Sequence, residues 1–278
     1  MTLSRLSLNQ ATIKRATVAE AVAACVAAGV PSIGLWREPV AEIGVAKAAA
    51  LVRDAGLRVS SLCRGGFLTA ADPNGIAAAL EDNRRAIAEA HDLGADCLVL
   101  VVGGLPPGSR DLQGARQRVA DRLADLVDDA RHAGVRLALE PLHPIYCADR
   151  AVISTLGQAL ELAAPYPPEV VGVVVDTFHS WWDPAVFDDI ARAGQQGRIA
   201  SFQVCDFLVP VPSDVLLARG MMGDGVIDFP PLYAAVEAAG YTGDIEVEIF
   251  NADVWAAPFD QVVSTMVERY RRHVLPAP

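Results

Sequence analysis

Short runs of apolar, often β-branched residues alternate with longer segments of helical spacing along this chain. The apolar runs predict eight strands, at 3–8, 32–36, 58–62, 97–102, 136–139, 170–175, 199–204 and 245–249. The segments between them predict helices at 18–28, 41–55, 74–93, 111–133, 155–164, 184–194, 230–239 and 258–273. In most cases a glycine follows the helix, which is typical of a helix end.

The order of these elements predicts a single closed barrel. The fourth strand, at 97–102, is apolar throughout, as is typical of a parallel strand buried on both faces. Alternating strands and helices close most simply into a (β/α)8 TIM barrel, and the 278 residues fit one such domain over 1–278. An open, doubly wound sheet is the alternative, but the sequence lacks the glycine-rich phosphate loop that such a fold carries after its first strand.

Composition narrows the range of functions. Hydrophobic residues make up 52% of the chain and the formal net charge is −11, so we expect a large core and no nucleic-acid partner. The five cysteines are scattered and form no CxxC pair, which predicts reduced thiols in a cytoplasmic protein. The sequence shows neither a signal peptide at its start nor an apolar run of about 18 residues, so we expect a soluble protein with no membrane partner.

Oxygen-bearing side chains stand near the ends of four consecutive strands, namely Glu140, Asp176, Gln203 with Asp206, and Glu246 with Glu248. In a TIM barrel these positions meet at the C-terminal mouth, where catalytic residues lie. Carboxylates that converge there would repel one another, and a divalent cation would neutralise them. The sequence therefore predicts a metal centre at the mouth of the barrel.

Alternation along the strands leaves part of the assignment open. Glu246 and Glu248 point to the same side of the eighth strand, so periodicity does not separate them. Glu248 lies nearer the C-terminal end of the strand, and this position favours it. Gln203 and Asp206 point to opposite sides of the seventh strand. If Gln203 faces the barrel interior, Asp206 reaches the site only from the long loop at 206–228.

Five short motifs accompany the later strands: Leu-Glu-Pro at 139–141, Val-Asp-Thr-Phe-His at 175–179, Gln-Val-Cys-Asp at 203–206, Arg-Gly-Met-Met-Gly-Asp-Gly-Val-Ile-Asp at 219–228 and Val-Glu-Ile-Phe at 247–250. With them the chain resembles, over nearly its whole length, the xylose-isomerase-like TIM-barrel superfamily of sugar phosphate isomerases and epimerases. The resemblance implies one divalent metal ion, held by Glu140, Asp176, Gln203 and Glu248.

The implied set of donor atoms limits which metal ion is expected. Many members of the superfamily have histidine where this chain has Gln203, so here all four implied ligands are oxygen donors, which favours Mn²⁺ or Mg²⁺ over Zn²⁺. The superfamily also contains zinc-dependent DNA-repair endonucleases, whose metal clusters need many histidines. Of the five histidines in this chain only His143 and His179 lie on predicted loops after strands, so a nuclease is not expected.

The resemblance further implies a sugar isomerase or epimerase that acts on a small carbohydrate through a metal-stabilised cis-enediolate. Glu140 and Glu248 would carry the proton in that reaction. His143 is either a proton shuttle or a plain loop residue. The alternatives are a lyase, dehydratase or deglycosylase that acts on a 3-oxo-sugar or inosose, and a catalytically inactive barrel that serves as a subunit.

Several residues outside the metal set are candidate contacts with substrate, namely His179, Arg219, Trp36 and Asp206, with Lys14 and Arg64 as candidate phosphate contacts. The family's turn before the eighth strand reads here with Met222 in place of proline, which bears on the placement of Arg219. Members of the superfamily are often dimers or tetramers, so a homo-oligomer is expected.

Overall fold

Eight parallel strands form a closed barrel in the computed structural model, which describes residues 3–276. The strands are β1 Leu6–Asn9, β2 Ser32–Trp36, β3 Arg58–Gly66, β4 Leu98–Val101, β5 Leu137–Leu139, β6 Val171–Asp176, β7 Ile199–Val204 and β8 Ile245–Val247. Each strand pairs with the next along the chain, and β8 pairs with β1. The closed ring confirms the predicted (β/α)8 fold and excludes the open sheet.

Helices surround this barrel: α1 Val18–Ala28, α2 Arg37–Ile43, α3 Val45–Asp54, α4 Pro73–Leu93, α5 Leu112–Ala133, α6 Leu156–Ala163, α7 Thr177–Ser180, α8 Val186–Gln195, α9 Phe229–Ala238, α10 Ala252–Ala256 and α11 Phe259–Arg269. The single helix predicted at 41–55 is wrong. Gly44 has a φ of +83°, which a right-handed helix does not accept, and so it separates α2 from α3. No helix within residues 3–276 has the length and apolar character needed to cross a membrane.

Side-chain caps fix where the long helices begin. Thr17 and Glu20 exchange hydrogen bonds in a capping box before α1. Asp72 accepts from a backbone N–H at the start of α4, and Asp111 does the same for α5. Because each helix follows a strand, these caps anchor the loops on the side of the barrel where the strands end.

The barrel interior holds small side chains beside buried polar ones. Leu98 and Leu137 point outwards into the core between strands and helices, whereas a separate cluster contains Val99, Ala138 and Val174 from the other face of their strands. Small side chains leave room inside the barrel for buried polar groups. Small apolar and buried polar side chains therefore fill the barrel interior below the mouth.

The long segment at 206–228, expected to be irregular, contains short regular elements. Asp206–Phe207 and Arg219–Gly220 pair as a two-stranded antiparallel hairpin, and a 3₁₀ turn lies at Val215–Leu217 between them. The hairpin starts directly after β7, so it stands over the end of the barrel that carries the candidate site.

Candidate metal centre

The four implied ligands lie at the carboxyl ends of adjacent strands. Glu140 directly follows β5, Asp176 ends β6 and Glu248 directly follows β8. Gln203 lies on β7 and is the register partner of Asp176. All four residues are at most 5% exposed. The fold therefore gathers them, buried, on one side of the barrel mouth.

Asp176 and Glu248 face one positive group. A single guanidinium nitrogen of Arg219, Nη1, donates to Asp176 Oδ2 at 3.1 Å and to Glu248 Oε2 at 2.7 Å. Arg219 itself is buried, and its guanidinium lies 4.9 Å from the ring centroid of Phe178 and 5.1 Å from that of Phe250. These two carboxylates therefore already converge on a cation.

Two further oxygens of the set are buried and unpartnered. Within the described residues, Glu140 Oε1 and Gln203 Oε1 have no hydrogen-bond partner. A buried polar atom without a partner costs about 1–3 kcal/mol, so such an atom marks a position where a ligand or ion belongs. Oxygen donors with free lone pairs are the ligands that Mg²⁺ and Mn²⁺ prefer. The residues present therefore fit a divalent ion.

The charge of the cluster supports this fit. The pKa of Glu140 is raised well above its usual range, first by burial and then by repulsion from Glu248 and Asp176. Burial raises the pKa of Glu248 to about 7, although the charge of Arg219 opposes the shift. Burial also raises the pKa of Asp176 against the same opposing charge. A divalent cation would stabilise the ionised form of all three carboxyl groups.

Glu246 is hydrogen-bonded to several side chains inside the barrel. Its carboxylate accepts hydrogen bonds from Asn9 Nδ2 at 2.6 Å, Ser60 Oγ at 2.5 Å and Ser61 Oγ at 2.8 Å. It also accepts one from Gln203 Nε2 at 3.1 Å. This last bond holds the amide nitrogen, so the amide oxygen points elsewhere and remains the unpartnered atom. Glu246 therefore orients Gln203, and both of its own oxygens already have partners.

His179 presents a ring N–H to the carboxylates. Its Nδ1 accepts from the backbone N–H of His143 at 3.0 Å, so the neutral ring carries its proton on Nε2. That nitrogen lies 3.8 Å from Asp176 Oδ2 and 4.0 Å from Glu140 Oε1. Burial, with the charge of Arg219, lowers the pKa of His179 well below its usual value and keeps the ring neutral. Arg219 Nη2 lies 2.9 Å from the same Nε2, so with the proton on Nε2 two donors meet at this contact.

His143 and Asp206 stand apart from the other predicted site residues. The ring of His143 lies 5.6 Å from those of Trp182 and Phe207, and burial lowers its pKa. Both oxygens of Asp206 accept from backbone N–H groups, those of Phe207, Gly223, Gly225 and Ile227. Asp206 therefore shapes the turn that follows Arg219. Neither His143 nor Asp206 lines the cavity that opens onto the carboxylate cluster.

A cavity of about 460 Å³ opens onto the cluster. Glu140, His179, Arg219 and Glu248 line it, and so does Trp36, whose indole N–H donates to a side-chain oxygen inside the barrel at 2.8 Å. Its size is that of a pocket for a small molecule. The structure thus brings most of the predicted catalytic and substrate-binding residues to one cavity.

Sequence reasoning missed some cavity residues. Tyr146 and Arg150 line the cavity from the loop after β5, where no periodic pattern tells which way a side chain points. Phe250 lines it as well, and its position in the Val-Glu-Ile-Phe motif could have indicated it. Lys14 and Arg64, the candidate phosphate contacts, are both cavity residues.

A family model described as xylose isomerase-like TIM barrel matches residues 22–272. The chain belongs to this family. Its fold closely matches the crystal structure of protein SMc04130 from Sinorhizobium meliloti 1021. That structure shares 50% sequence identity with a TM-score of 0.95, and the match covers 98% of this chain and 99% of that one.

The curated relatives of this xylose isomerase-like barrel include a dehydratase and an isomerase. A 3-dehydroshikimate dehydratase from Pseudomonas putida is 30% identical over 177 residues, which is 61% of this chain and 26% of that protein. An inosose isomerase from Halalkalibacterium halodurans is 26% identical over 147 residues, which is 51% of this chain and 49% of that protein. The matches therefore span about half, or less, of these relatives' own length.

Proposed function

We propose that this chain is a divalent-metal-dependent isomerase or epimerase of a sugar, sugar phosphate or keto-sugar. The observation that carries the proposal is the buried set of Glu140, Asp176, Gln203 and Glu248, with two oxygens unpartnered, at a cavity of about 460 Å³. Four oxygen donors favour Mn²⁺ or Mg²⁺. The inosose isomerase among the relatives supports the same class of reaction.

The chain's own residues suit a proton transfer between neighbouring carbons. When bound, a divalent ion would supply the Lewis acidity that polarises the carbonyl of an α-hydroxy ketone. Glu140 and Glu248 line the cavity from the ends of two different strands, so each can take up or return a proton of a substrate bound there. One removes the proton beside the carbonyl to give a cis-enediolate, and a proton then returns to the neighbouring carbon or to the opposite face. His179 Nε2–H would donate to a substrate oxygen.

A lyase is the second candidate, and the match to a 3-dehydroshikimate dehydratase favours it. The same first step, removal of a proton beside a carbonyl, leads to loss of a hydroxyl group from the next carbon if a neighbouring acid protonates it. An isomerase or epimerase conserves the mass of its substrate, whereas a dehydratase releases water. Mass spectrometry of the product therefore separates the two reactions.

Exchange of substrate hydrogen with deuterium oxide tests the proton-transfer step. With Mn²⁺ present and a panel of ketoses and keto-sugars, we expect the wild type to introduce deuterium beside the carbonyl. Glu140→Gln and Glu248→Gln should each reduce exchange by about 10²-fold or more, while circular dichroism shows a folded barrel. Glu161→Gln, an exposed position on α6, is the matched control. Exchange that persists in both active-site variants would contradict the assignment.

A further inference from the structure

We propose that the cavity binds the anionic end of its substrate, a carboxylate or phosphate group, between Arg64 and Arg150. The inference rests on the proposed function, since it concerns the same cavity and names the class of carbohydrate that enters it. A neutral sugar could accept hydrogen bonds from these two arginines, but only an anion would also balance their charge.

Arg64 carries a positive charge that forms no salt bridge with any described residue. It lies near the end of β3, is half-buried and lines the cavity. Its guanidinium lies 4.4 Å from the ring centroid of Phe67, and among the described residues no carboxylate reaches it within salt-bridge distance. Burial lowers the pKa of Arg64, and the charge of Glu38 opposes this shift without reversing it. Stacking on Phe67 fixes the plane of the group and leaves its N–H donors free for an anion.

Arg150 is a second, weakly paired arginine in the same cavity. It lies in the loop after β5, is half-buried and lines the cavity. Its only salt-bridge contact within residues 3–276 is with its exposed neighbour Asp149 at 3.8 Å, and contacts of this kind contribute little. Both arginines line the same cavity, and the charge of Arg150 is one of the influences that lower the pKa of Arg64. An anion between them would attract both charges.

The acidic residues of the cavity do not neutralise this pair. Glu38 and Glu42 line the cavity too, but both are exposed on its outer rim, where water screens their charge, although Glu38 still raises the pKa of Arg64. Lys14, also at the rim, adds a positive charge and lies 4.6 Å from the ring centroid of Trp255. Arg64 and Arg150 therefore give the cavity a positively charged, half-buried region outside the carboxylate cluster.

Arg64 lies on β3, outside the strands of the oxygen cluster, whereas Arg150 lies in the loop after β5, one of the cluster's strands. In the closed ring of strands, β3 lies opposite β7, and the cluster occupies the ends of β5 to β8. A substrate can therefore direct its carbonyl end to Glu140 and Glu248 while its anionic end reaches Arg64. The chain as a whole carries a net charge of −11, so an anionic substrate needs such local cations to enter.

Calorimetric binding of three unreactive probes tests the inference: ribitol, which is neutral, ribonate, which carries a carboxylate, and ribitol 5-phosphate. We expect at least one anionic probe to bind about tenfold or more tightly than ribitol, and Arg64→Gln and Arg150→Gln each to reduce that preference about tenfold. The tighter of the two anions identifies the chemical group. Arg53→Gln, whose side chain is 72% exposed and lies outside the cavity, should leave the preference unchanged.

Equal binding of all three probes by the wild type would overturn the inference. So would an anion preference that survives in the double variant Arg64→Gln/Arg150→Gln. Metal content, measured on the same samples, separates this result from a failure of the proposed function. A chain that binds Mn²⁺ without an anion preference keeps the proposed function and loses the anion site, whereas a chain that binds no metal loses the proposed function and can still display the preference.

Discussion

Glu246 is the residue that extends the candidate site beyond the implied ligands. A fully buried carboxylate is unfavourable unless hydrogen bonds compensate it, and here Asn9, Ser60, Ser61 and Gln203 all donate to it. The hydrogen bond from Gln203 fixes which end of the amide faces the candidate metal centre. Groups that orient a ligand in this way contribute to metal affinity without touching the metal.

Replacing Glu246 with glutamine should weaken metal binding. A glutamine at this position donates as well as accepts, so it no longer fixes the orientation of the Gln203 amide. We expect Mn²⁺ affinity to fall about 10- to 100-fold in a variant that circular dichroism shows to be folded, measured by competition with a chelator. The exposed change Glu161→Gln is the control. Unchanged affinity in the folded variant would show that Glu246 does not orient the ligand.

Sequence reasoning reached the strand-end residues but not the contacts that assign their roles. Alternation along β8 puts Glu246 and Glu248 on the same side, and only depth in the barrel separates them. The donors Ser60 and Ser61 lie on β3, 186 and 185 residues away along the chain. Contacts between strands across a closed barrel depend on tertiary packing, which a local pattern does not encode.

Among the elements, the hairpin after β7 depends on one buried carboxylate. Asp206 Oδ2 accepts from Gly223 and Gly225 at 2.8 Å, and Oδ1 accepts from Ile227 at 3.0 Å. Gly225 allows this approach, because a Cβ there would lie 2.1 Å from a backbone oxygen. The turn that follows Arg219 is therefore anchored to the end of β7.

Asp206→Asn should loosen this turn. The amide group of asparagine cannot accept at both positions, so at least one backbone N–H loses its partner, at a cost of about 1–3 kcal/mol. We expect faster hydrogen exchange at 219–228 and a lower melting temperature. Asp214→Asn, an exposed position in the same segment, should leave exchange at 219–228 unchanged. Equal exchange in Asp206→Asn and wild type would show that the carboxylate does not hold the turn.

A second connection between elements joins α2 to α4. Arg37 donates to both oxygens of Asp82 at 3.0 and 3.1 Å, and also to Glu89. The hydrogen bond from Arg37 is the main reason why the pKa of Asp82 is lowered. Because the pKa is lower in the folded state, the pair stabilises the fold above the unfolded value of about 3.9. That stabilisation is lost as the pH falls through the lower, folded value.

Asp82→Asn should therefore cost stability in a pH-dependent way. Asp82 is 44% exposed, so solvent screening limits the effect to about 1 kcal/mol or less at neutral pH. We expect the difference in melting temperature between wild type and variant to shrink as the pH falls from 7 to 3. Asp92→Asn, an exposed position on α4, serves as the control. A difference of the same size at both pH values would contradict the assignment.

At the scale of the elements, the sequence patterns predicted the number, type and order of the barrel units. Strong periodicity and glycine at helix ends carry that information locally. The errors fall where local signals compete: Gly44 splits one predicted helix, and a hairpin with two residues in each strand is too short to leave a pattern.

At the scale of the whole molecule, the barrel places acidic and basic side chains at different positions around one cavity. The ends of β5 to β8 hold the acidic cluster, and Arg64 stands across from it on β3. The closure of the barrel brings these residues together from positions far apart along the chain. The homo-oligomer remains a prediction.

The metal content of the purified protein tests the central claim most directly. After loading with Mn²⁺ and removal of excess metal, plasma mass spectrometry should find about one ion per chain in the wild type, as expected for a single four-donor site. The double variant Asp176→Asn/Glu248→Gln, which removes two negative charges from the cluster, should lose this ion while remaining folded. A folded wild type that binds no divalent metal, or a double variant that retains it with the same affinity, would contradict the account.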